Sequence, residues 1–457
     1  MSAPARACAY QVLRRVFEHG AYADEALHAA AKGLDHRDRS LAMRLSYGAV
    51  QRAGTTDHLI EQLSERPAPS LDRPVIAALR LGLYELLYLD GSPDYAVVAD
   101  AVELSKRNGR GGHGLVNAVL RRAAREGASA LLGALGEETP EAAAVKHSHP
   151  EWIARLWWEE LGPDAARALM AFDNEPSEVA LRANSLVTDA SSLAGALAGG
   201  GDRGGGRPAV QSHLDPEIPE AVVLDGPFDA RSSPLFSEGA FLAQSRAAMR
   251  VARALLPQPG ERVLDLCAAP GGKTTHLAAL MGDSGEVVAV ERNRHRAGAL
   301  LHTARRMRAG SVRVEVADAA TPRAAGDLFD RVLVDPPCTG LGTLQARADL
   351  RWRATPERAQ EMEMIQSAVL GAGAQALRPG GVLVYSTCTI SSAENERRIA
   401  TFLDSHPNFT LDDLGAEHPR LRLDTAATPA AAGGRFLLTL PHRDHTAGFF
   451  IARMRRA

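Results

Sequence analysis

The sequence predicts three parts: an all-α domain over residues 1–128, a small α+β domain over 145–240, and an α/β domain over 241–457 on an open, mainly parallel sheet. Three observations predict it. In the first part apolar residues recur every three or four positions, with no strand-like alternation. From Glu261 onward, short apolar runs alternate with helix-length segments, the pattern of parallel strands buried on both faces. The turns after those runs carry glycines, acids and cysteines, the residue types that such a sheet gathers at the carboxyl ends of its strands.

In the helical part, Leu41, Leu45 and Val50, then Leu79, Leu83 and Leu87, mark apolar faces. Gly109, Gly111, Gly112 and Gly114 predict a loop before a short helix at 115–124. Residues 106–125 hold Lys106, Arg107, Arg110, Arg121, Arg122 and Arg125 with no acid between them. Such a cluster suits phosphate neutralisation or a solvated helix face. An Ala-rich polar stretch follows at 127–144, then a helix-like run from His149-Pro150-Glu151-Trp152 to Met170. Residues 179–186 read as a strand and 240–256 as a helix; 198–207, with six glycines, reads as a loop. Strands are expected at 262–267, 286–291, 312–318, 331–335 and 381–387. Residues 435–440 and 448–454 fit an antiparallel hairpin at one sheet edge.

Composition narrows the class. At ~150 residues per domain, 457 residues make two to four domains. The net charge of −3 neither proposes nor excludes a nucleic-acid partner, so local clusters decide. Four cysteines, Cys8, Cys267, Cys338 and Cys388, are too few and too scattered for a disulfide framework, and without a CxxC pair no structural zinc or other metal site is expected. The opening MSAPARACAY lacks a signal peptide's apolar core, and the most apolar stretch, 75–89, carries Arg80 and Glu85 and is shorter than the ~20 residues that span a bilayer. The expectation is a soluble, cytoplasmic monomer with no membrane partner.

The chemistry concentrates in three places. Asp265-Leu266-Cys267-Ala268-Ala269-Pro270-Gly271-Gly272-Lys273-Thr274 sits where the first parallel strand turns into a helix. It is neither a dinucleotide GxGxxG nor a P-loop, and without the former a dehydrogenase is not expected. Glu291, Asp318 and Asp335 end the next three expected strands. A carboxylate at the second strand end suits a ribose diol; Asp318 is placed for an adenine amino group. Any one of these acids alone is more often an ordinary capping residue. Together, around a glycine turn, they predict a pocket for an adenine nucleoside without a phosphate chain. The other two places are Asp335-Pro336-Pro337-Cys338-Thr339-Gly340 and Tyr385-Ser386-Thr387-Cys388-Thr389. A lone cysteine is usually a small buried hydrophobe. Two that meet at the ligand-binding edge point to chemistry instead.

These three segments, with Leu181-Arg182-Ala183-Asn184 and the closing Gly448-Phe449-Phe450, resemble the Nop/Sun family of RNA cytosine-5 methyltransferases from about His149 to the end. Residues 1–125 resemble the RNA-binding domain of NusB in Asp38-Arg39, Tyr47-Gly48 with Arg52, the run from Leu79 to Leu87, and Asn117-Ala118-Val119-Leu120-Arg121. The pairing resembles the Sun type, which acts on small-subunit rRNA. The resemblance implies a seven-stranded Rossmann-like domain that binds S-adenosylmethionine through Cys267, Ala268, Ala269, Pro270, Gly271, Gly272, Lys273, Glu291, Asp318 and Asp335. It implies that Cys388 attacks cytosine carbon 6, that Cys338 helps release the methylated base, and that Asp335 contacts the base near its ring nitrogen. Two other functions fit parts of the sequence: a tRNA methyltransferase, and a non-catalytic NusB-like RNA binder. The target base must leave its stack to be reached, so looped or single-stranded RNA is the expected substrate. Arg292, Arg294, Arg296, Arg305, Arg306 and Arg308, then Arg347, Arg351 and Arg353, are candidates for gripping its backbone, with a structural role the alternative for Arg296. Three departures stand out: Glu291 replaces the family's usual Asp, Ser245 replaces an acid after Gln244, and the glycine-rich insert has no counterpart.

Overall fold

A computed structural model describes residues 3–108, 111–199, 210–324, 326–423 and 434–457. Contacts divide the chain into two compact units, Met1–Pro176 with Leu344–Ala354, and Ser177–Thr343 with Thr355–Ala457. Residues 145–240, read as one domain from the sequence, are shared between the two.

The first unit is helical. Its core is built on the helix Arg73–Tyr88, which buries Val75, Leu79, Leu83 and Leu87 along one side. Full burial of each such side chain is worth ~1.5–3 kcal/mol. Gly48 lies against the Tyr84 ring so closely that a Cβ there would fall 1.9 Å from ring carbon Cζ, so a glycine is required. Leu344–Ala354 brings the buried Arg351, whose guanidinium donates to the carbonyls of Ser148 and Asp173 and to Asn174 Oδ1, and Trp352, whose indole donates to Val50 O. The helix expected at 115–124 runs from His113 to Glu126 and takes in Gly114, while the stretch 127–144 forms helices Ala128–Gly133 and Pro140–His147.

The second unit holds two sheets. The smaller comprises β1 (Val179–Ala183), β2 (Ser212–Leu214), β3 (Ala221–Leu224) and β4 (Phe241–Ala243), antiparallel in the order β2-β3-β1-β4. Here β4 and a shorter helix, Arg246–Ala254, replace the helix expected at 240–256. Ser245, in place of the family's acid, supplies the helix cap by accepting from Ala248 N. The strand expected at 179–186 ends at Ala183. Of the glycine-rich stretch, 200–207 lies outside the described residues.

The larger sheet contains β5 (Arg262–Leu266), β6 (Glu286–Val290), β7 (Val312–Glu315), β8 (Phe329–Val334), β9 (Leu377–Thr387), β10 (Phe409–Leu411), β11 (Leu437–Leu438) and β12 (Phe450–Arg456). Seven run in the order β10-β12-β9-β8-β5-β6-β7, and β11 pairs with β12 off this path. The five from β5 to β9 are parallel, and β12 and β10 are antiparallel. The expected terminal hairpin is therefore not at the edge; β12 lies between β9 and β10. Val263, Leu264, Val287, Val288, Val332 and Leu333 are fully buried, as strands covered on both faces require. The order reverses at β5, where the chain runs outward to β6 and β7 and then returns to β8, and such a reversal opens a crevice beyond the strand ends. Among the described residues no helix is long and apolar enough to cross a membrane.

Candidate active site

Register places the strand ends side by side. Leu266 pairs with Val290 and with Val334, Val290 with Glu315, and Val334 with Tyr385. The residues that follow, Cys267, Glu291, Asp335 and Ser386, therefore emerge along one edge. The chain reverses after β5 through Cys267, in the left-handed region at φ +66°, and Gly271, at φ +100°, which begins the helix Gly272–Leu280. Thr274 on that helix donates to the buried Asp265 at 2.6 Å, and burial pushes the Asp265 carboxyl up to about 7.

At the β5/β8 reversal, Lys273 Nζ donates to Asp335 Oδ2 at 2.6 Å and Ser386 Oγ donates to Asp335 Oδ1 at 2.7 Å. Asp335 is thus held from both sides. Burial lowers the Lys273 pKa, but Asp335, and then the charge of Cys388, outweigh it and leave the ammonium above its ordinary value. The same ammonium lies 4.9 Å from the centroid of the Phe449 ring. Cys338 and Cys388, fifty residues apart in sequence, bring their sulfurs to 3.4 Å. The hydrogen bond to Cys388, then burial and neighbouring negative charge, raise the Cys338 thiol well above its ordinary range.

The remaining expected site residues are placed less uniformly. Glu291 is buried and accepts from Asn293 N at 2.9 Å, with Arg296 Nη1 3.4 Å from its other oxygen. Asp318 does not end a strand: β7 stops at Glu315, and Asp318 is exposed in the following loop, accepting from Ala320 N. Arg296 also donates to Ala269 O, so it braces the glycine turn. Two other arginines expected to grip RNA are structural: Arg306 donates to Phe236 O and Phe241 O and stacks on Phe236, and Arg351 is buried in the first unit. Arg353 stacks on Tyr22. Arg292, Arg294, Arg305 and Arg347 are exposed. In the amino-terminal cluster, Lys106, Arg121 and Arg125 line a cleft of about 620 Å³ beside the exposed Tyr95, and Arg122 pairs with Glu126. Arg110 and the side chain of Arg107 lie outside the described residues.

Sequence reasoning missed a layer behind the cysteines: Gln366, Glu394 and Asn395. Glu394 and Asn395 had one visible signal, adjacent polar residues a few positions after Cys388. The motif Leu181-Arg182-Ala183-Asn184 proves to be a brace. Arg182 donates to Gly272 O, Thr275 Oγ1 and Gln244 Oε1, and Asn184 to Gly239 O and Met307 O.

Residues 252–455 match the family described as 16S rRNA methyltransferase RsmB/F, and residues 3–125 match the NusB family. The probable ribosomal RNA small subunit methyltransferase B of Synechocystis is 36% identical, over 99% of each chain. Among solved structures, that of PH0851 is 26% identical with a TM-score of 0.79, covering 100% of both chains. A methyltransferase homologue from Pyrococcus horikoshii is 27% identical with a TM-score of 0.61, covering 70% of this chain and 99% of its own.

Proposed function

The chain belongs to the 16S rRNA methyltransferase RsmB/F family, with a NusB-family domain at its amino terminus, and from this premise we propose that it methylates carbon 5 of a cytosine in small-subunit rRNA. The observation that carries this reading is the pair of sulfurs 3.4 Å apart at the strand-end edge, beside an aspartate held by a lysine and a serine.

S-adenosylmethionine fits the donor set at this edge. A buried carboxylate, Glu291, stands beside a glycine turn that has no phosphate-gripping loop, as a ribose diol without phosphates requires. Cys267 to Lys273, Glu291, Asp318 and Asp335 would hold it, and it would supply an electrophilic methyl group. Carbon 5 of cytosine is a poor nucleophile until a thiolate adds to carbon 6. Cys388 Sγ forms that bond, which pushes the C5–C6 electron pair toward carbon 5. Asp335 lies at the same edge and, holding a proton at the ring nitrogen, would offset the charge that develops. After methylation the proton on carbon 5 passes to water, its electron pair restores the C5–C6 double bond, and Cys388 departs as a thiolate. Cys338 promotes this elimination. The 3.4 Å contact between the two sulfurs places both within reach of one base, and the division of labour is the one the family resemblance implies.

The test is product identity. The purified chain, small-subunit rRNA and a tritiated methyl donor should yield label that co-migrates with 5-methylcytidine after nucleoside digestion. Label in any other nucleoside, or none on rRNA with efficient labelling of tRNA, would contradict the proposal.

A further inference from the structure

Each of the two cysteines is followed by a threonine, Thr339 and Thr389, and the two hydroxyls meet at 2.6 Å. Behind them stand consecutive residues, Glu394 and Asn395, both buried. Glu394 accepts from Thr339 N at 3.0 Å and from the Thr339 hydroxyl. It also accepts from Gln366 Nε2 at 2.8 Å, and the same amide nitrogen donates to Pro337 O at 3.0 Å. Pro337 and Thr339, on either side of Cys338, are thus fixed through one carboxylate. Asn395 does the same for the other cysteine: the Thr387 hydroxyl donates to its Oδ1 and its Nδ2 donates to Thr389 O at 3.0 Å. Tyr385 donates to Glu394 O at 2.7 Å, which ties the dipeptide itself to β9.

Donor counting fixes the polarity. The Thr339 hydroxyl has one proton and gives it to Glu394, so in the hydroxyl pair Thr389 is the donor. Three donors converge on the Glu394 side chain and favour its carboxylate form, against burial, which raises its pKa above the ordinary value. Among the described residues Gln366 Oε1 is buried with no hydrogen-bond partner, a cost that the two contacts of its amide nitrogen offset.

We propose that Glu394 and Asn395 are positioning residues that set the distance between the two reacting sulfurs, Glu394 serving Cys338 and Asn395 serving Cys388. This rests on the cytosine-5 mechanism above. Its consequence is that the two substitutions damage different halves of the reaction, which a merely structural role would not produce.

The experiment separates the halves. On rRNA carrying 5-fluorocytosine, carbon 5 has no proton to lose, so the covalent complex accumulates at a rate set by Cys388. On unmodified rRNA, turnover needs both cysteines. Asn395→Asp should slow accumulation ~10-fold or more, as small misplacements of reacting groups do. Glu394→Gln keeps the shape but replaces one acceptor by a donor, which must face either Thr339 N and Gln366 Nε2 or the Thr339 hydroxyl. It should leave accumulation within about threefold and slow turnover ~10-fold or more, with the complex persisting on unmodified RNA. Thr339→Val, which removes the hydroxyl contact to Glu394 and leaves the N–H contact, should slow turnover in the same selective way and carries the test if Glu394→Gln fails to bind cofactor in calorimetry. Proportionate loss of both rates in every variant, or no loss in any, overturns the proposal. Cys388→Ala runs in parallel: an adduct in that variant would mean that the mechanism, and this inference with it, is wrong. Its absence beside wild-type behaviour of the three positioning variants would remove the inference alone.

Discussion

Glu291 and Asp318 are both carboxylates near the ends of neighbouring strands, yet their surroundings differ. Glu291 is 3% exposed, and its oxygens already meet Asn293 N and Arg296. Asp318 is exposed and spends one oxygen on its own loop. A ribose diol bound to Glu291 therefore completes a desolvated, charged hydrogen-bond set. Glu291→Ala should weaken S-adenosylmethionine binding by ~1–3 kcal/mol, and Asp318→Ala by less than ~1 kcal/mol. Calorimetry giving the larger loss at Asp318 would contradict this ranking. The same contrast explains what the sequence revealed residue by residue. The two cysteines and the glycine turn were legible because each stands beside a strand end that apolar patterning reveals. Arg306 and Arg351 were not, because a run of arginines does not disclose which guanidinium folds back onto carbonyl groups. Glu394 was equally hidden, since its partners lie as far off as Thr339 and Gln366, whereas Asn395 pairs with Thr387 and Thr389 close by in sequence.

At the level of elements, the helix Gly272–Leu280 is held by Arg182 of β1 and, through its own His276, by Glu220 just before β3, with His276 Nε2 2.7 Å from Glu220 Oε1. Burial first, then the Arg182 charge, lowers the His276 pKa from 6.5 to about 4, so the ring is neutral and the carboxylate accepts from it. Glu220 is brought down to about 2, His276 and Arg253 outweighing its burial. Both folded values lie below the unfolded ones, so both contributions are present at neutral pH. The His276 part is lost as pH falls from 6.5 toward 4, and the Glu220 part as it falls from 4.5 toward 2. The His276 shift corresponds to about 3 kcal/mol. His276→Gln should flatten the loss of stability between pH 6.5 and 4 in urea unfolding; an unchanged slope would show that the pair is not coupled to folding. Strands β5, β6, β8 and β9 were legible from their apolar runs. Short strands such as β4 and β10, three residues each, were not, because so few residues carry no periodicity.

For the whole molecule, the amino-terminal unit is more than an appended domain, since it takes in Leu344–Ala354, the segment that follows the Cys338 loop in sequence. Trp352 fits over Gly54, where a Cβ would fall 2.8 Å from the indole, and donates to Val50 O. A chain shortened to begin near residue 140 loses both partners along with Lys106, Arg121 and Arg125. It should still bind cofactor, because Glu291 and the glycine turn lie in the other unit. It should bind rRNA more weakly and with a shallower salt dependence, since fewer counterions are released. Equal affinity and equal salt slope in the two chains would assign the amino-terminal unit another role.

The most direct measurement of the central claim uses the full chain, unmodified small-subunit rRNA and the methyl donor, resolved by denaturing electrophoresis. If Cys388 attacks and Cys338 assists release, Cys338→Ala completes the first half of the reaction and cannot finish. It should accumulate a covalent protein–RNA complex, and neither Cys388→Ala nor the double variant should do so. A complex trapped by Cys388→Ala and absent from Cys338→Ala would reverse the two roles and contradict the account.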